Sequence, residues 1–230
     1  MFLSWENLLE KLEEIIDKEN TFQDEKSERE EFEEVIKKKE EKKLKKFLSP
    51  VSYELKVGRE AFLSGKNERI NIKEQGYVVI EPGMFASILT YEYITIPEDL
   101  IGFISLKFGL KSKGLVNVSG FHVDPGFKGH LVFTVFNLGP HPIILRYKEQ
   151  AFLLFLAKLT AKPKCKYKGK HQEQKEISPE IISWLTGEKL NFVQFESKIS
   201  SLEAKVNILI GTGITLLIGL LGIILKLLFK

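Results

Sequence analysis

From Val206 to Leu225 the chain runs for 20 residues without a charge, and its polar side chains there are Asn207, Thr212 and Thr215. A helix rises about 1.5 Å per residue, so a run of this length spans the roughly 30 Å hydrocarbon core of a bilayer. Everything else the sequence encodes has to be compatible with a transmembrane helix at 206–225. Lys205 and Lys226 bracket the run and are too balanced to set its orientation by charge. Met1 to Ile16 reads as a charged amphipathic helix rather than a basic end followed by an apolar run, so no cleavable signal is expected. With no other segment to export, the expectation is a single-pass C-terminal anchor whose bulk stays on the cytoplasmic side.

Ahead of the anchor, Phe192, Phe195, Ile199, Leu202 and Val206 are spaced 3, 4, 3 and 4, the a/d seam of a short coiled coil. They belong to a helical stalk expected over 179–205, which Ser178-Pro179-Glu180 starts with proline in the first turn. Gly211, Thr215 and Gly219 continue with a small residue every four, letting helices approach closely in lipid. Two heptads are few, and a single helix lying on its own domain is the alternative.

The remainder has material for one sizeable domain with appendages, since 43% of the 230 residues are hydrophobic and 17 are Phe. A formal charge of +3, mixed along most of the chain, gives no basic field for nucleic acid. Cys165 is the single cysteine, which excludes an internal disulfide framework, and the four His are scattered. A reducing compartment and no metal site are therefore expected. Residues 1–47 divide in two. Ser4 can cap a helix whose Leu8, Leu9, Leu12, Ile15 and Ile16 share one face. Asp24 to Lys46 is dense in Glu and then Lys, with Phe32, Val35 and Ile36 as sparse apolar points. It reads as a solvated helical spacer or, alternatively, as an arm that recruits a protein partner.

From Val51 the texture changes to short runs of β-branched and aromatic residues broken by Gly and Pro. Val51 to Val57, Arg69 to Ile72, Tyr77 to Ile80, Phe85 to Thr90, Tyr93 to Ile96 and Ile101 to Leu106 read as strands. So do Leu115 to Val118, Phe121 to Val123, His130 to Phe136, Pro142 to Arg146 and Ala151 to Phe155. Many short strands without intervening helical patterns imply an all-β barrel or sandwich. Within it, Gly120 to Asn137 holds the best candidate for a chemically useful acid, Asp124, in an Asp-Pro-Gly turn entering a strand. Turn chemistry alone explains such a tripeptide, because Pro fixes φ, Gly126 accepts positive φ, and Asp can bond back to turn amides. His122, His130 and His141 read as ordinary turn or surface histidines.

Several ordered motifs in this region resemble the dCTP deaminase branch of the trimeric dUTPase superfamily. Ser52 to Gly58 is similar to that family's Ser-x-Asp-Leu-x-Leu-Gly run, Thr90-Tyr91-Glu92 to its Thr-x-Glu, and Ile96 to Leu100 to its Leu-Pro-Asp-Asp-Leu. Val123 to Gly129 resembles its Ile-Asp-Pro-Gly-Phe-x-Gly turn, and Tyr167 to Gln174 its Tyr-x-Gly-Lys-Tyr-Gln-x-Gln segment. The resemblance covers about 1–16 and 48–178. It implies a mainly β, dUTPase-like (β-clip) distorted barrel over 48–178, forming a homotrimer. It also implies a pyrimidine deoxynucleotide held at subunit interfaces by Lys107, Gly120, Asp124, Phe127, Tyr167, Lys170 and Gln174. Magnesium is the cofactor that would accompany a bound triphosphate.

The catalytic positions depart from the family. Lys107 stands for its first phosphate-binding Arg, Phe108 for its catalytic Ser, and Ser112 for its second Arg. Lysine can meet a phosphate without the guanidinium fork, whereas Phe108 cannot donate a hydrogen bond. The family's general base, a Glu in Leu-Glu-x-x-Asn, is Thr134 here, and a threonine hydroxyl near neutral pH neither takes nor relays a proton well. Asp124 occupies the place of the dUTPase aspartate that orients the attacking water, and Phe127 that of the aromatic against the deoxyribose. Phe152 replaces a family glutamine. Three readings remain: a membrane-anchored nucleotide-binding protein with reduced or lost catalysis; an active dCTP deaminase or dUTP diphosphohydrolase; and a trimeric membrane scaffold.

Overall fold

Strand-forming sequence from Leu48 onward folds as an antiparallel sheet whose long members bend, so that one strand serves two neighbours. The computed structural model describes residues 1–23, 25–39, 41–44, 47–186 and 192–229. It divides into two units, Met1–Gly187 and Glu188–Lys230. In the first, helices α1 (Trp5–Ile15), α2 (Lys18–Thr21), α3 (Lys26–Lys38) and α4 (Glu41–Leu44) precede the strands. Then come β1 (Leu48–Ser49), β2 (Ser52–Leu63), β3 (Glu68–Asn71), α5 (Ile72–Gln75), β4 (Tyr77–Ile80), β5 (Phe85–Thr95) and β6 (Leu100–Leu106). They are followed by α6 (Phe108–Ser112), β7 (Leu115–Asn117), β8 (His122–Val123), β9 (Lys128–Asn137), β10 (Ile143–Arg146), β11 (Gln150–Lys158) and α7 (Pro179–Leu185).

Nine strands form one sheet in the order β7-β9-β5-β2-β11-β6-β8, with β1 and β3 added to β2, and β10 pairs β4 separately. Strand β2 pairs β11 through Tyr53–Lys56 and β5 through Val57 and Ala61–Leu63, with a register shift between Val57 and Ala61. Gly58 sits at that bend, where a Cβ would lie 2.5 Å from the Thr90 carbonyl oxygen. Only glycine permits so close an approach, and the bend is what curls a flat sheet toward a barrel. The interior is apolar and close-packed: Phe133 stacks on Phe152 with centroids 4.0 Å apart, both fully buried. Phe152 therefore fills the core.

Two local expectations change. The strand expected over Arg69 to Ile72 is present as β3 but ends at Asn71, because the Asn71 side chain accepts the Glu74 amide and starts α5 at Ile72. Ser4 stands at the N-cap of α1 without a side-chain bond to a helix amide, its hydroxyl being spent on the Glu6 carboxylate at 2.8 Å.

The larger correction concerns the charged arm, of which residues 24, 40, 45 and 46 lie outside the described residues. Helix α3 is not a solvated spacer. Phe32, Val35 and Ile36 are 2%, 1% and 8% exposed within the domain's main core. Glu25 just ahead of it accepts the Tyr91 hydroxyl at 2.6 Å and pairs with Lys148. Lys148 also reaches Glu28 at 2.6 Å and lies over the Tyr91 and Tyr147 rings at 4.9 and 5.3 Å. Burial opposes ionisation of Glu25, but Lys148 and the Tyr91 hydroxyl win and hold its carboxyl below the usual value.

The second unit is a single helix, α8 (Phe192–Leu228). Its Ser197–Leu228 part is long and apolar enough to cross a membrane by length and composition. Thr212 and Thr215 donate their hydroxyls to the Ile208 and Gly211 carbonyls at 3.0 and 2.8 Å, satisfying both groups within the helix as a lipid setting requires. Ile199, Leu202 and Val206 of the expected seam are exposed along it. The side chains of Phe192 and Phe195, and residues 187–191 of the expected stalk, lie outside the described residues.

Candidate functional site

A cavity of about 470 Å³ in the first unit opens over the outward face of β9. Side chains alternate along a strand, so His130, Val132 and Thr134 line the cavity while Phe133 and Val135 enter the core. The strand expected over His130 to Phe136 thus positions one wall. Thr134 Oγ1 lies 2.9 Å from the hydroxyl of Ser87, its cross-strand partner on β5, and Ser87 is wholly buried.

The Asp-Pro-Gly turn forms the rim. Gly126 takes φ +81°, its amide donates to the Ile96 carbonyl at 2.8 Å, and the Phe127 amide closes the turn on the Asp124 carbonyl at 3.1 Å. The segment from Tyr167 to Gln174 zips alongside. The Tyr167 amide donates to the Pro125 carbonyl at 2.9 Å, the Glu173 amide to Lys128 at 2.7 Å, and the His130 amide to Gln174 at 2.9 Å. Tyr167 packs on Phe127 with centroids 5.7 Å apart. The carboxylate of Asp124 stays half exposed, 3.6 Å from His122 Nε2.

Of the residues singled out by sequence, Gly120, Asp124, Phe127, Tyr167, Gln174 and Thr134 come together as cavity lining. Lys107, Phe108 and Lys170 do not line it. Lys107 Nζ is 2.8 Å from Glu54, and Lys170 Nζ is 3.0 Å from Glu180. Phe108 projects at the start of α6 with 82% of its surface exposed.

Sequence reasoning missed the place of the histidines, and of the helix it expected from Pro179, in the cavity wall. His122, His130 and His171 all line the cavity. His171 Nδ1 is 2.8 Å from Gln174 Oε1, and His130 Nδ1 donates to the Glu92 carbonyl at 3.1 Å. Burial, seconded by the Arg59 and Lys175 charges, pushes His130 down to about 4, so it is neutral at physiological pH. One wall is the face of α7 carrying Ile181, Trp184 and Leu185. Their i, i+3, i+4 spacing behind Ser178-Pro179 is the signal that this helix has an apolar face to bury. Chemically, the cavity offers an apolar and aromatic body, three imidazoles and one carboxylate; among the described residues no lysine or arginine lines it.

The sequence model of the dCTP deaminase-like family matches residues 24–159. Among curated relatives, the dCTP deaminase of Pyrococcus abyssi is 35% identical over 130 residues, covering 56% of this chain and 82% of that protein. The dCTP deaminase of Pyrococcus horikoshii is 36% identical over 125 residues, covering 54% and 78%. The crystal structure of 2'-deoxycytidine 5'-triphosphate deaminase from Agrobacterium tumefaciens aligns with TM-score 0.43 at 15% identity, over 49% of this chain and 40% of that one.

Proposed function

The chain belongs to the dCTP deaminase-like family, and from that premise we propose that it binds a pyrimidine deoxynucleoside triphosphate in the β9 cavity with reduced or lost turnover. The observation that carries this is Thr134, the position of the family's general base, set on the cavity wall with its hydroxyl against buried Ser87. Replacing an amine by water needs a group that takes a proton and returns it. Asp124 is the one carboxylate among the described lining residues, and it sits on the rim rather than on β9. Base and sugar are assigned to the apolar body with Phe127, Tyr167 and Gln174. The triphosphate is assigned to Lys107 and Lys170 at a subunit interface of a homotrimer, and a magnesium ion to the triphosphate itself. Helix α8 serves as the membrane anchor, with the β domain on the cytoplasmic side.

A second reading, an active enzyme with a rearranged site, draws support from the carboxylate and imidazole of Asp124 and His122, 3.6 Å apart and open to solvent. One experiment separates the two. Calorimetric titration of the full chain in detergent with dCTP, dUTP and dTTP is expected to give saturable heat with at least one of them. Incubation with dCTP or dUTP is expected to yield neither dUTP, dUMP nor pyrophosphate at an enzyme-like rate. Brisk turnover that Asp124→Asn abolishes would favour the second reading, and absence of binding would remove both.

A further inference from the structure

Helix α8 carries an apolar seam and, beside it, three charges that find no partner within the chain. The helix is unbroken from Phe192 to Leu228, so Ile199, Leu202 and Val206, spaced 3 and 4, fall on one face. They keep 50%, 60% and 51% of their surface exposed. Lys198, Glu203 and Lys205 stand among them, and charges so closely spaced hold this stretch outside the hydrocarbon of a bilayer. Lipid tails therefore do not cover Ile199 and Leu202.

The charges follow the same register. With Ile199 and Val206 at a and Leu202 at d, Lys198 and Lys205 fall at g and Glu203 at e. All three are exposed, and among the described residues none of them makes an ion pair. Glu203 lies five positions after Lys198, beyond the three or four that meet along one helix. Between two parallel helices in register, however, a g residue faces the e residue of the next heptad on its neighbour, so Lys198 of each copy meets Glu203 of the other. An antiparallel pair would set lysine against lysine and glutamate against glutamate. In the sequence, Phe192 and Phe195 extend the a and d positions one heptad earlier.

We propose that residues 198–206 pair with the same stretch of another copy of this chain as a parallel, in-register coiled coil, its apolar seam flanked by Lys198 of one copy against Glu203 of the next. Copies that α8 anchors in one bilayer with a common orientation, as proposed above, meet in this alignment. The pairing goes beyond nucleotide binding and stands whether or not the β9 cavity takes a ligand.

The test is disulfide cross-linking of the full chain in nonionic detergent, in a Cys165→Ser background that removes the single native thiol. Leu202→Cys, at d, is expected to join across copies at least about tenfold faster than Ser201→Cys or Ala204→Cys, which lie at the outer c and f positions. Lys198→Glu and Glu203→Lys are each expected to slow the Leu202→Cys cross-link roughly fivefold, because each sets like charges across the seam. Combining the two reversals restores opposite charges and is expected to return the parent rate. At about 1 M salt, where the screening length is about 3 Å, the single reversals should lose most of their effect. A trimeric β domain that merely gathers loose stalks would cross-link the three cysteines alike. The proposal is overturned by that result, by absence of a cross-link through Leu202→Cys, or by a double reversal no faster than either single one.

Discussion

Glu92 and His130 are neighbours whose titrations oppose each other. Glu92 is fully buried, with the Lys56 amide donating to its carboxylate at 2.9 Å and the Tyr53 hydroxyl at 3.5 Å. Burial outweighs those bonds and pushes Glu92 up from 4.5 to about 7. Its contribution to stability is complete below pH 4.5 and is lost as pH rises through 7, a swing of about 3 kcal/mol. His130 falls from 6.5 to about 4, so its contribution is complete above pH 6.5 and lost as pH falls through 4, again by about 3 kcal/mol. Between those limits the slopes largely cancel in the wild type. Glu92→Gln removes one of them, so its thermal stability is expected to climb steadily from pH 4.5 to 6.5; a melting profile parallel to the wild type would contradict the assignment. Thr134 offers a test of chemistry. Restoring the carboxylate with Thr134→Glu, beside the Ser87 hydroxyl, is expected to raise dCTP deamination by at least about 100-fold, the lower end of what a positioned base contributes. Thr134→Gln, with similar bulk and no basicity, should not.

At the scale of elements, α3 shows how much sequence reading recovers and where it stops. The strands were legible because period-two alternation and Gly or Pro breaks are local signals, and the Asp124 rim was legible because its turn chemistry is contained within seven residues. Phe32, Val35 and Ile36 carry the i, i+3, i+4 signature of a buried face, but the Glu and Lys around them suggest a solvated helix, and what they pack on lies far along the chain. The same distance hides α7 from β9, although its own apolar spacing is visible. Lys107 and Lys170, expected to meet a nucleotide at a subunit interface, pair within the chain with Glu54 and Glu180, a choice of partner that no spacing encodes. The packing of α3 has a measurable consequence. Phe32→Ala is expected to cost about 3–5 kcal/mol, as truncation of a fully buried Phe does, and to lower the melting temperature of the domain markedly. A free spacer would register no more than about 0.5 kcal/mol.

The whole molecule joins a dCTP deaminase-like β domain to a helix fit for a bilayer, and its assembly state links the two ends of the proposal. In a single chain the described cavity lining contains no lysine or arginine, so a triphosphate bound there would leave its charge unmet. A neighbouring copy can correct that by presenting Lys107, 36% exposed and paired with Glu54, to the mouth of the cavity. The full chain in detergent is therefore expected to have three times the 26.4 kDa mass of one chain by light scattering with the detergent contribution subtracted. If trimerisation serves binding, Lys107→Gln should weaken dCTP or dUTP affinity by about tenfold, the loss of one charge-assisted phosphate contact, while leaving the mass unchanged. The same substitution should leave the affinity for deoxycytidine or deoxyuridine untouched, because the sugar and base meet only the wall built by Phe127, Tyr167 and Gln174. A monomeric mass, or equal losses for nucleoside and triphosphate, would place Lys107 away from the phosphates and require the charge to be met within one chain.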